Sequence, residues 1–346
     1  MSLDTLLLYA IGIVAGVSAV TLLLRAVWLI RGAYRIRRAG PRPIRATKHT
    51  IWCDPGEVEA RDLRDGPGGA DGAPAPPFTF VEEHLNGSQP CVSVTDARGR
   101  RWRVKWGNEV RSENFAVRLV WACGYHAEVT YFIEAGEIGG AQALQRAGAC
   151  IAEDCSFREA RFELDDPAVR KFFEEHSWAW NDNPFVGTPQ LNGLKVLVML
   201  LADWDTKDRR DVARGSNTAI FEHRVGRWRR EARYLITDWG GSMGRWGGTI
   251  VTRGRWDPQG FAAQNAEFVI GRAGDTVRFG YAGQRTADIA GGISVDDVRW
   301  LCRYLGRVSD RQLRDALDAS GASEEEAETF MRAIRGRVDQ LLQAST

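Results

Sequence analysis

One apolar run near the start of the chain limits what it can fold into. Residues 5–24 read TLLLYAIGIVAGVSAVTLLL without a charge, and residues 26–30 are apolar again. Twenty helical residues span about 30 Å, the thickness of the hydrocarbon core of a bilayer. The first four residues lack the positive charge that opens a signal peptide, and no clear small-residue cleavage site ends the run. We therefore predict a transmembrane helix over residues 5–30.

The charges that follow this run predict its orientation. Residues 25–48 contain eight arginines and lysines and no acidic residue. Because positive charge is retained on the cytoplasmic side, the sequence predicts a single-pass membrane protein with its N-terminus outside and its body in the cytoplasm. The helix would contact inner-membrane lipid. The basic segment would either bind anionic head groups or only set the topology.

The rest of the chain has the composition of a folded, mildly acidic protein. Hydrophobic residues make up 44% and charged residues 26% of the 346 residues, which excludes disordered and disulfide-scaffold classes. Residues 49–346 hold 38 basic and 44 acidic residues, a net charge of −6. Such a body argues against nucleic acid as a partner. The six cysteines lack metal-binding spacing, and we predict that they are reduced.

Hydrophobic periodicity and turn residues divide the body into a β-rich part and a mainly helical part. Residues 63–77, LRDGPGGADGAPAPP, predict a flexible loop or linker. Alternating patterns predict strands within 49–60 and over 78–83, 91–96, 101–106, 131–133, 218–222 and 234–237. Helices are predicted over 109–123, 167–176, 193–201 and 295–305, and capping boxes at Ser309 and Ser323 open two closing helices.

Charged residues stand where several of these predicted elements begin or end. Lys105 ends a strand, and Glu113 lies in the helix that follows, with Glu109 one turn earlier as an alternative. Asp205-Thr-Lys207 comes after an apolar helix, and Asp238-Trp-Gly follows a strand. Phosphoryl transfer needs a cation on the nucleotide phosphates, acids for Mg²⁺ and a carboxylate near the attacking hydroxyl. The chain offers all three in this order.

The order of these motifs resembles that of protein kinases. Lys105 and Glu113 are similar to the strand lysine and helix glutamate that hold the α- and β-phosphates. The pattern Asp205-x-Lys207 resembles the D-x-K of a kinase catalytic loop. Asp238-Trp-Gly resembles the DFG turn, whose aspartate holds Mg²⁺.

A closer resemblance is to HipA-type kinases, in a wider group that includes phosphoinositide kinases. The loop NGSQP at 86–90, which precedes WRVK at 102–105, resembles the family's G-x-Q loop and lysine strand. ENFAVRLVWACG at 113–124 is similar to its helix, and Asn217 with the strand after it resembles the element that supplies the second metal ligand. The resemblance covers residues 78–245.

The resemblance implies an α+β, two-lobed protein-kinase-like fold behind one N-terminal transmembrane helix. Its parts would be a transmembrane anchor (5–30), a basic juxtamembrane segment and linker (31–77), a β-rich N-lobe (78–135) and a mostly helical C-lobe (136–346). ATP and Mg²⁺ would be the cofactors. The implied site comprises Gly87, Ser88, Gln89, Lys105 and Glu113 for the nucleotide, Asp205 and Lys207 for catalysis, and Asn217 and Asp238 for the metal.

The catalytic loop departs from the family pattern in one respect. The family places an asparagine five residues after the catalytic aspartate, but position 210 is arginine, so a role for Asn217 requires an insertion over 209–216. Asp208 or Asp211 is the alternative acid or ligand. The expected activity is transfer of the ATP γ-phosphoryl group to a hydroxyl of a protein, lipid or small molecule. The alternatives are a pseudokinase scaffold that tethers a partner at the membrane, and transfer of the nucleotide itself.

Overall fold

The protein is a mixed α+β structure in which eleven strands form one barrel and two small sheets among the described residues. The computed structural model describes residues 43–87, 89–247 and 254–346. The strands are β1 (Lys48–Thr50), β2 (Phe78–His84), β3 (Cys91–Thr95), β4 (Arg101–Lys105), β5 (Thr130–Gly139), β6 (Ser156–Leu164), β7 (Arg170–Phe172), β8 (Thr218–Arg224), β9 (Arg230–Ile236), β10 (Val269–Ala273) and β11 (Thr276–Phe279).

The N-terminal part is a closed barrel in the order β2-β3-β4-β6-β5. Strand β4 shows how the sequence builds it, because successive side chains of a strand point to opposite faces. Trp102 and Val104 are fully buried in the barrel, whereas Arg103 and Lys105 lie on its outer face. The barrel core thus fixes the strand that presents Lys105.

Seven α-helices of the described residues complete the fold. They are α1 (Val110–Ala122), α2 (Pro189–Leu200), α3 (Pro258–Ala263), α4 (Thr286–Ile289), α5 (Val295–Leu305), α6 (Asp310–Asp318) and α7 (Glu324–Ala344). Helix α1 packs on the barrel beside β5 and β6. It ends at Ala122, and Gly124, two residues later, has φ +93° and lies so close to the Cys53 carbonyl that a Cβ atom would be 2.5 Å from that oxygen.

Four strands form the second sheet. Its strand order is β1-β9-β8-β7, with β8 antiparallel to β9 and β1 parallel to β9. A third sheet pairs β10 with β11. Residues from Arg45 to Thr346 form one compact unit.

Most of the predicted strands and helices are confirmed, but one predicted helix is wrong and two bounds differ. The predicted helix over 167–176 is instead β7 and a 3₁₀ turn, because this segment pairs along β8, with Phe172 opposite Ile220. Within 49–60, the strand is limited to the first residues and forms part of Lys48–Thr50. The barrel also extends to Leu164, beyond the end at residue 135 expected for the β-rich lobe, because β6 pairs with both β4 and β5.

The segment over 63–77 is packed against the barrel helix, which corrects the prediction of a flexible linker. Leu63 is buried, and a Cβ atom on Gly66 would lie 3.2 Å from Cγ of Arg118 in α1. The hydroxyl of Tyr131 donates a hydrogen bond to the carbonyl of Gly69 at 2.7 Å. The glycines that suggest flexibility instead allow this close approach.

The predicted membrane span, residues 5–30, lies outside the described residues, as does the basic segment up to residue 42. Among the helices of the described ranges, none is both long enough and apolar enough to cross a bilayer.

Candidate active site

Three charged side chains from distant parts of the chain meet between the barrel and the second sheet. Lys105 ends β4, Glu113 lies in the first turn of α1, and Asp238 follows β9. The Lys105 ammonium is 4.0 Å from Oε1 of Glu113. Carboxylate oxygens of Glu113, Asp238 and Glu109 all lie within 4.8 Å of one another. We call Glu109, Glu113 and Asp238 the carboxylate trio.

Glu113 is buried beside two cations. Nη1 of Arg161, in β6, is 2.6 Å from Oε2 of Glu113, and Nη2 of Arg161 is 2.9 Å from Oε2 of Glu163. Burial raises the pKa of Glu113 to about 8, although Arg161 and Lys105 oppose the shift. Oε2 of Glu113 is held by Arg161, whereas Oε1 accepts no hydrogen bond from the described residues. The carboxylate therefore retains capacity to bind another donor or a cation.

Asp238 sits in a turn that approaches α1 closely. The backbone N–H of Gly240 donates to Oδ1 of Asp238 at 2.9 Å. Burial acts to raise the pKa of Asp238, but Lys105, the Gly240 N–H and Arg161 outweigh it and lower the pKa. A Cβ atom on Gly240 would lie 2.7 Å from Cγ of Glu109, so this position requires glycine unless the Glu109 side chain moves.

Glu109, at the N-terminal end of α1, completes the carboxylate trio. Its Oε1 atom is 2.6 Å from Nη1 of Arg255, and the guanidinium of Arg255 lies over the ring of Trp204 at 5.1 Å. Burial and the neighbouring Asp238 raise the pKa of Glu109, while Arg255 opposes the shift. Sequence analysis considered Glu109 only as a substitute for Glu113, whereas the fold brings both residues to Asp238.

The loop after α2 carries Asp205 and Lys207. Oδ2 of Asp205 is 3.3 Å from the Lys207 ammonium, and the Gln284 amide donates to Oδ1. Asp203, two residues before Asp205, is buried. Burial and the charges of Asp205 and Asp238 raise the pKa of Asp203 well above the usual value. Asp205 is the more exposed of the two aspartates and the one paired with a lysine.

Gly241 packs the Asp238 turn against the Asp205 loop. A Cβ atom on Gly241 would lie 2.8 Å from Oδ1 of Asp203 and 2.9 Å from Cβ of Asp205. The N–H of Trp204 donates to the Gly241 carbonyl at 3.3 Å. The positions of the two loops are therefore coupled.

Asn217 reaches this loop despite its distance in sequence. Residues Arg209–Arg214 form a 3₁₀ helix, after which the Asn217 N–H donates to the Lys207 carbonyl at 3.3 Å. The Asn217 side-chain amide donates to the Asp205 carbonyl. Across the β8–β9 pair, Thr237 donates to the Asn217 carbonyl at 2.8 Å, which places Asn217 beside the Asp238 turn.

The two alternative acids are paired elsewhere. Asp208 caps the 3₁₀ helix and accepts hydrogen bonds from Arg210, at 3.0 Å to Oδ1. Oδ2 of Asp211 is 2.5 Å from Nη2 of Arg285. Both aspartates are therefore paired with arginines, whereas Asp205 contacts the Lys207 ammonium and the Gln284 amide.

The predicted nucleotide loop joins β2 to β3. Ser88 lies outside the described residues. Gly87 is exposed with φ +87°, and its carbonyl accepts from Nη1 of Arg146 at 3.0 Å. The Gln89 side chain packs on Gly107, where a Cβ atom would be 2.3 Å from Oε1 of Gln89. A hydrogen bond from Gln89 opposes the rise in the pKa of Glu109. Gln89 is therefore at the site, and Gly87 is at the outer end of the loop.

Sequence analysis missed the charged residues that the barrel places behind Lys105. Arg161 and Glu163 come from β6, and burial together with Glu163 raises the pKa of Glu128 well above its usual value. Arg161 lowers the pKa of Glu163 to about 2 against the effect of burial. The signal was present in SFREARFEL at 156–164, where Phe157 and Phe162 belong to the barrel core and Arg161 reaches Glu113 of α1.

A cavity of about 810 Å³ adjoins the carboxylate trio. Trp106, Phe157 and Trp256 supply aromatic walls, and Arg111 and Arg255 supply charge. Arg255 also pairs with Glu109, so one residue belongs to both the cavity and the site.

Comparisons with known proteins add little to this geometry. No protein-family model matches the chain, and no curated protein sequence matches it significantly. Among solved structures, one described as the crystal structure of the golgi casein kinase is similar over 79% of this chain and 73% of that chain. The identity is 9% and the TM-score 0.32. A TM-score this low does not establish a shared fold.

Proposed function

We propose that the protein is a membrane-anchored, cytoplasm-facing, kinase-like phosphotransferase that moves the γ-phosphoryl group of ATP to a hydroxyl acceptor. The observation that carries this proposal is the convergence of Lys105, Glu113 and Asp238. The cation lies at the end of a strand and one carboxylate lies in the helix that follows. The second carboxylate lies in a turn more than 120 residues further along the chain, yet all three meet at one buried point. Phosphoryl transfer depends almost entirely on such positioned charge.

Lys105 and Glu113 form the nucleotide end of the proposed site. Lys105 would bind the α- and β-phosphates, since its ammonium is the partly exposed cation of the cluster, with 23% of the side chain accessible. Glu113 would orient Lys105 through the 4.0 Å contact. Gln89, and the loop from Gly87 through Ser88, would cover the phosphates from the barrel side.

The carboxylate trio fits a divalent cation. Its donor atoms are all oxygens, the ligands that Mg²⁺ prefers, and Oε1 of Glu113 is buried without a hydrogen bond from the described residues. Asp238 and Glu109 would hold the ion, with Asn217 beside them. Bound Mg²⁺ would neutralise charge on the transferring phosphoryl group.

Asp205 and Lys207 form the acceptor end. Asp205 would accept a hydrogen bond from the attacking hydroxyl and orient it, and Lys207, 3.3 Å away, would offset the charge of the phosphoryl group. Asn217 holds the Asp205 backbone, so it acts as a positioning residue whether or not it also contacts the ion. The cavity lined by Trp106 and Trp256 is the candidate entry for the acceptor.

A pseudokinase scaffold is the second candidate, and one observation favours it. Glu113 is 2.6 Å from Arg161 but 4.0 Å from Lys105, so a buried arginine competes for the carboxylate that should orient the lysine. Under this proposal the site is structural, and the body tethers a partner at the membrane without catalysis.

Calorimetry of ATP binding separates the two candidates. The full chain, held in detergent or nanodiscs, is titrated with ATP with and without Mg²⁺, beside Lys105→Ala and Asp238→Ala. Lys48→Ala is the control, because Lys48 is a 62% exposed lysine paired with Glu231, at 2.8 Å, and not with the carboxylate trio. We expect Mg²⁺-dependent binding in wild type and control, and its loss in both site variants. No binding to a folded wild-type protein would contradict the phosphotransferase proposal.

The transferred group identifies the reaction. Mass spectrometry of acceptor proteins or lipids after incubation with ATP distinguishes an added phosphate from an added nucleotide. We expect phosphate, and Asp205→Asn should abolish transfer while leaving ATP binding intact. An adenylyl group on the acceptor would mean that the same site transfers the nucleotide instead.

A further inference from the structure

The turn between β8 and β9 exposes a tryptophan among arginines. Residues 223–230 read HRVGRWRR. The Trp228 side chain is 86% exposed and Val225 is 47% exposed, which makes Trp228 the most exposed of the large apolar residues in the described chain. We call residues 224–229 the Trp228 turn. A tryptophan so fully exposed to water contributes nothing to the core of this protein.

The positive charge of this turn is not neutralised. Within the described residues, Arg224, Arg227 and Arg229 form no ion pair with a carboxylate, and Arg227 lies over the Trp228 ring at 5.5 Å. The nearest acidic residues in the two strands are already paired. Glu222 pairs with Arg170 at 2.6 Å and Arg230 at 3.1 Å, and Glu231 pairs with Lys48 at 2.8 Å and with Arg233.

The chain enters the body at the base of the same turn. The N–H groups of Arg45 and Ala46 both donate to Oε2 of Glu222. Strand β1 then runs parallel to β9 with Lys48 opposite Glu231, two residues after the turn, or about 7 Å at the rise of a strand. The residues predicted to follow the membrane span therefore join the structure beside this turn.

We propose that the Trp228 turn docks on an anionic membrane surface, with Trp228 in the head-group region and the three arginines on lipid phosphates. Tryptophan favours the membrane–water interface, where its ring is partly buried and its N–H remains hydrated. Arginines near an anionic leaflet are attracted to it. This docking requires neither ATP nor phosphotransfer, so it goes beyond the proposed function.

Docking at this turn would keep the candidate active site away from lipid. Strands β8 and β9 run from the turn to Asn217 and Asp238 at their other ends. Six residues of strand cover about 20 Å. If the strands stand upright on the membrane, the acceptor is a protein or a soluble molecule and not a lipid head group.

Hydrogen–deuterium exchange on the full chain tests the docking. The protein is compared in detergent, in nanodiscs of phosphatidylcholine, and in nanodiscs of equal parts phosphatidylcholine and phosphatidylglycerol. We expect slower exchange at amides of residues 225–229 in the anionic discs. Strand β10 is the matched control, since it also presents an exposed apolar residue, Ile270 at 50%, and an arginine, Arg272.

Variants assign the protection to these side chains. Trp228→Ala, and Arg227→Gln with Arg229→Gln, should reduce the protection in anionic discs, by about fivefold for each arginine, the equivalent of about 1 kcal/mol per charge. Ile270→Ala should leave it unchanged. These side chains are exposed, so the variants should fold, which thermal unfolding checks.

Two outcomes would overturn the proposal. One is equal exchange of the Trp228 turn in detergent and in both kinds of disc. The other is protection by a single-stranded RNA oligonucleotide but not by lipid, which would make the turn a nucleic-acid contact. If the full chain stays dissolved without detergent, vesicles of the same two compositions replace the discs. Protection by the anionic vesicles would then support docking, even though solubility without detergent would contradict the predicted transmembrane helix.

Discussion

Arg161 lies closer to Glu113 than Lys105 does. The guanidinium of Arg161 is 2.6 Å from one oxygen of Glu113, and the ammonium of Lys105 is 4.0 Å from the other. Glu113 thus lies between a cation of β6, Arg161, and a cation of β4, Lys105. The residue proposed to orient the nucleotide lysine depends on a second, buried cation for its own position.

Removal of Arg161 should therefore be costly. Arg161→Met leaves Glu113 and Glu163 buried without their common partner, and we expect a loss of about 3–5 kcal/mol in the free energy of unfolding. Denaturant unfolding monitored by circular dichroism measures it. Arg158→Met is the control, because Arg158 lies in the same strand, is 75% exposed and should change stability by less than about 1 kcal/mol. An equal effect of both variants would contradict this account of Arg161.

Glu109→Gln should weaken cation binding, because the variant removes one carboxylate from the trio. Changes to supporting groups of metal sites typically cost about 10- to 100-fold in affinity, and loss of a direct ligand should cost at least as much. Titration of the protein with Mn²⁺, followed by electron paramagnetic resonance, measures the free ion. Glu159→Gln, at an exposed carboxylate near the adjoining cavity, is the control. Unchanged affinity in Glu109→Gln would remove Glu109 from the proposed ligand set.

Gly241→Ala should impair turnover more than stability. The new methyl group would meet Oδ1 of Asp203 at 2.8 Å and Cβ of Asp205 at 2.9 Å, so the Asp205 loop must move. A displacement of about 1 Å can reduce turnover by about 10²-fold. Phosphotransfer assays compare this variant with Gly139→Ala, whose methyl group would have only an ordinary contact, with the Phe78 carbonyl at 3.7 Å. Full activity in Gly241→Ala would show that the position of the Asp205 loop does not limit turnover.

His126 should make stability depend on pH. Burial, followed by the charge of Arg233, lowers the pKa of His126 to about 4 in the folded protein. The unfolded chain binds this proton near pH 6.5, whereas the folded protein binds it only near pH 4. The stability that the neutral imidazole contributes is therefore complete above pH 6.5 and is lost as the pH falls through about 4. The difference between the two pKa values corresponds to a change of about 3 kcal/mol in the free energy of unfolding.

A matched pair of variants isolates this effect. His126→Gln should flatten the decline of unfolding free energy between pH 6.5 and pH 4. His49→Gln should not, because His49 is exposed, although it too contacts a hydroxyl, that of Tyr234 at 3.0 Å. The Thr50 hydroxyl contacts His126 at 2.9 Å. A decline that persists in His126→Gln would assign it to other groups.

The sequence allowed prediction of elements whose pattern is local. The alternation in β4, the apolar periodicity of α1 and the capping boxes at Ser309 and Ser323 depend on neighbouring residues, and all of them are confirmed. Lys105, Glu113 and Asp238 could be proposed together only because their order resembles that of a known family. Their convergence depends on the barrel and on the β8–β9 pair.

Residues whose role depends on tertiary contacts were missed. Arg161 pairs with Glu113 across 48 positions, and no local rule connects them. The segment over 167–176 contains residues compatible with a helix, but pairing with β8 satisfies its backbone hydrogen bonds as a strand. Gly66 and Gly68 predicted a flexible linker because glycine favours turns, whereas the fold uses them for contact with Arg118 and Tyr131.

That contact changes where the smallest stable unit of this protein should begin. A fragment starting at residue 78, with the first barrel strand, would discard Leu63, Gly66 and the carbonyls that bind Arg118 and Tyr131. Helix α1 would lose the cover over one side, and β9 would lose β1 as its edge strand. We expect such a fragment to aggregate, whereas one starting near residue 45 keeps both supports of the helix and the sheet that together carry the candidate site.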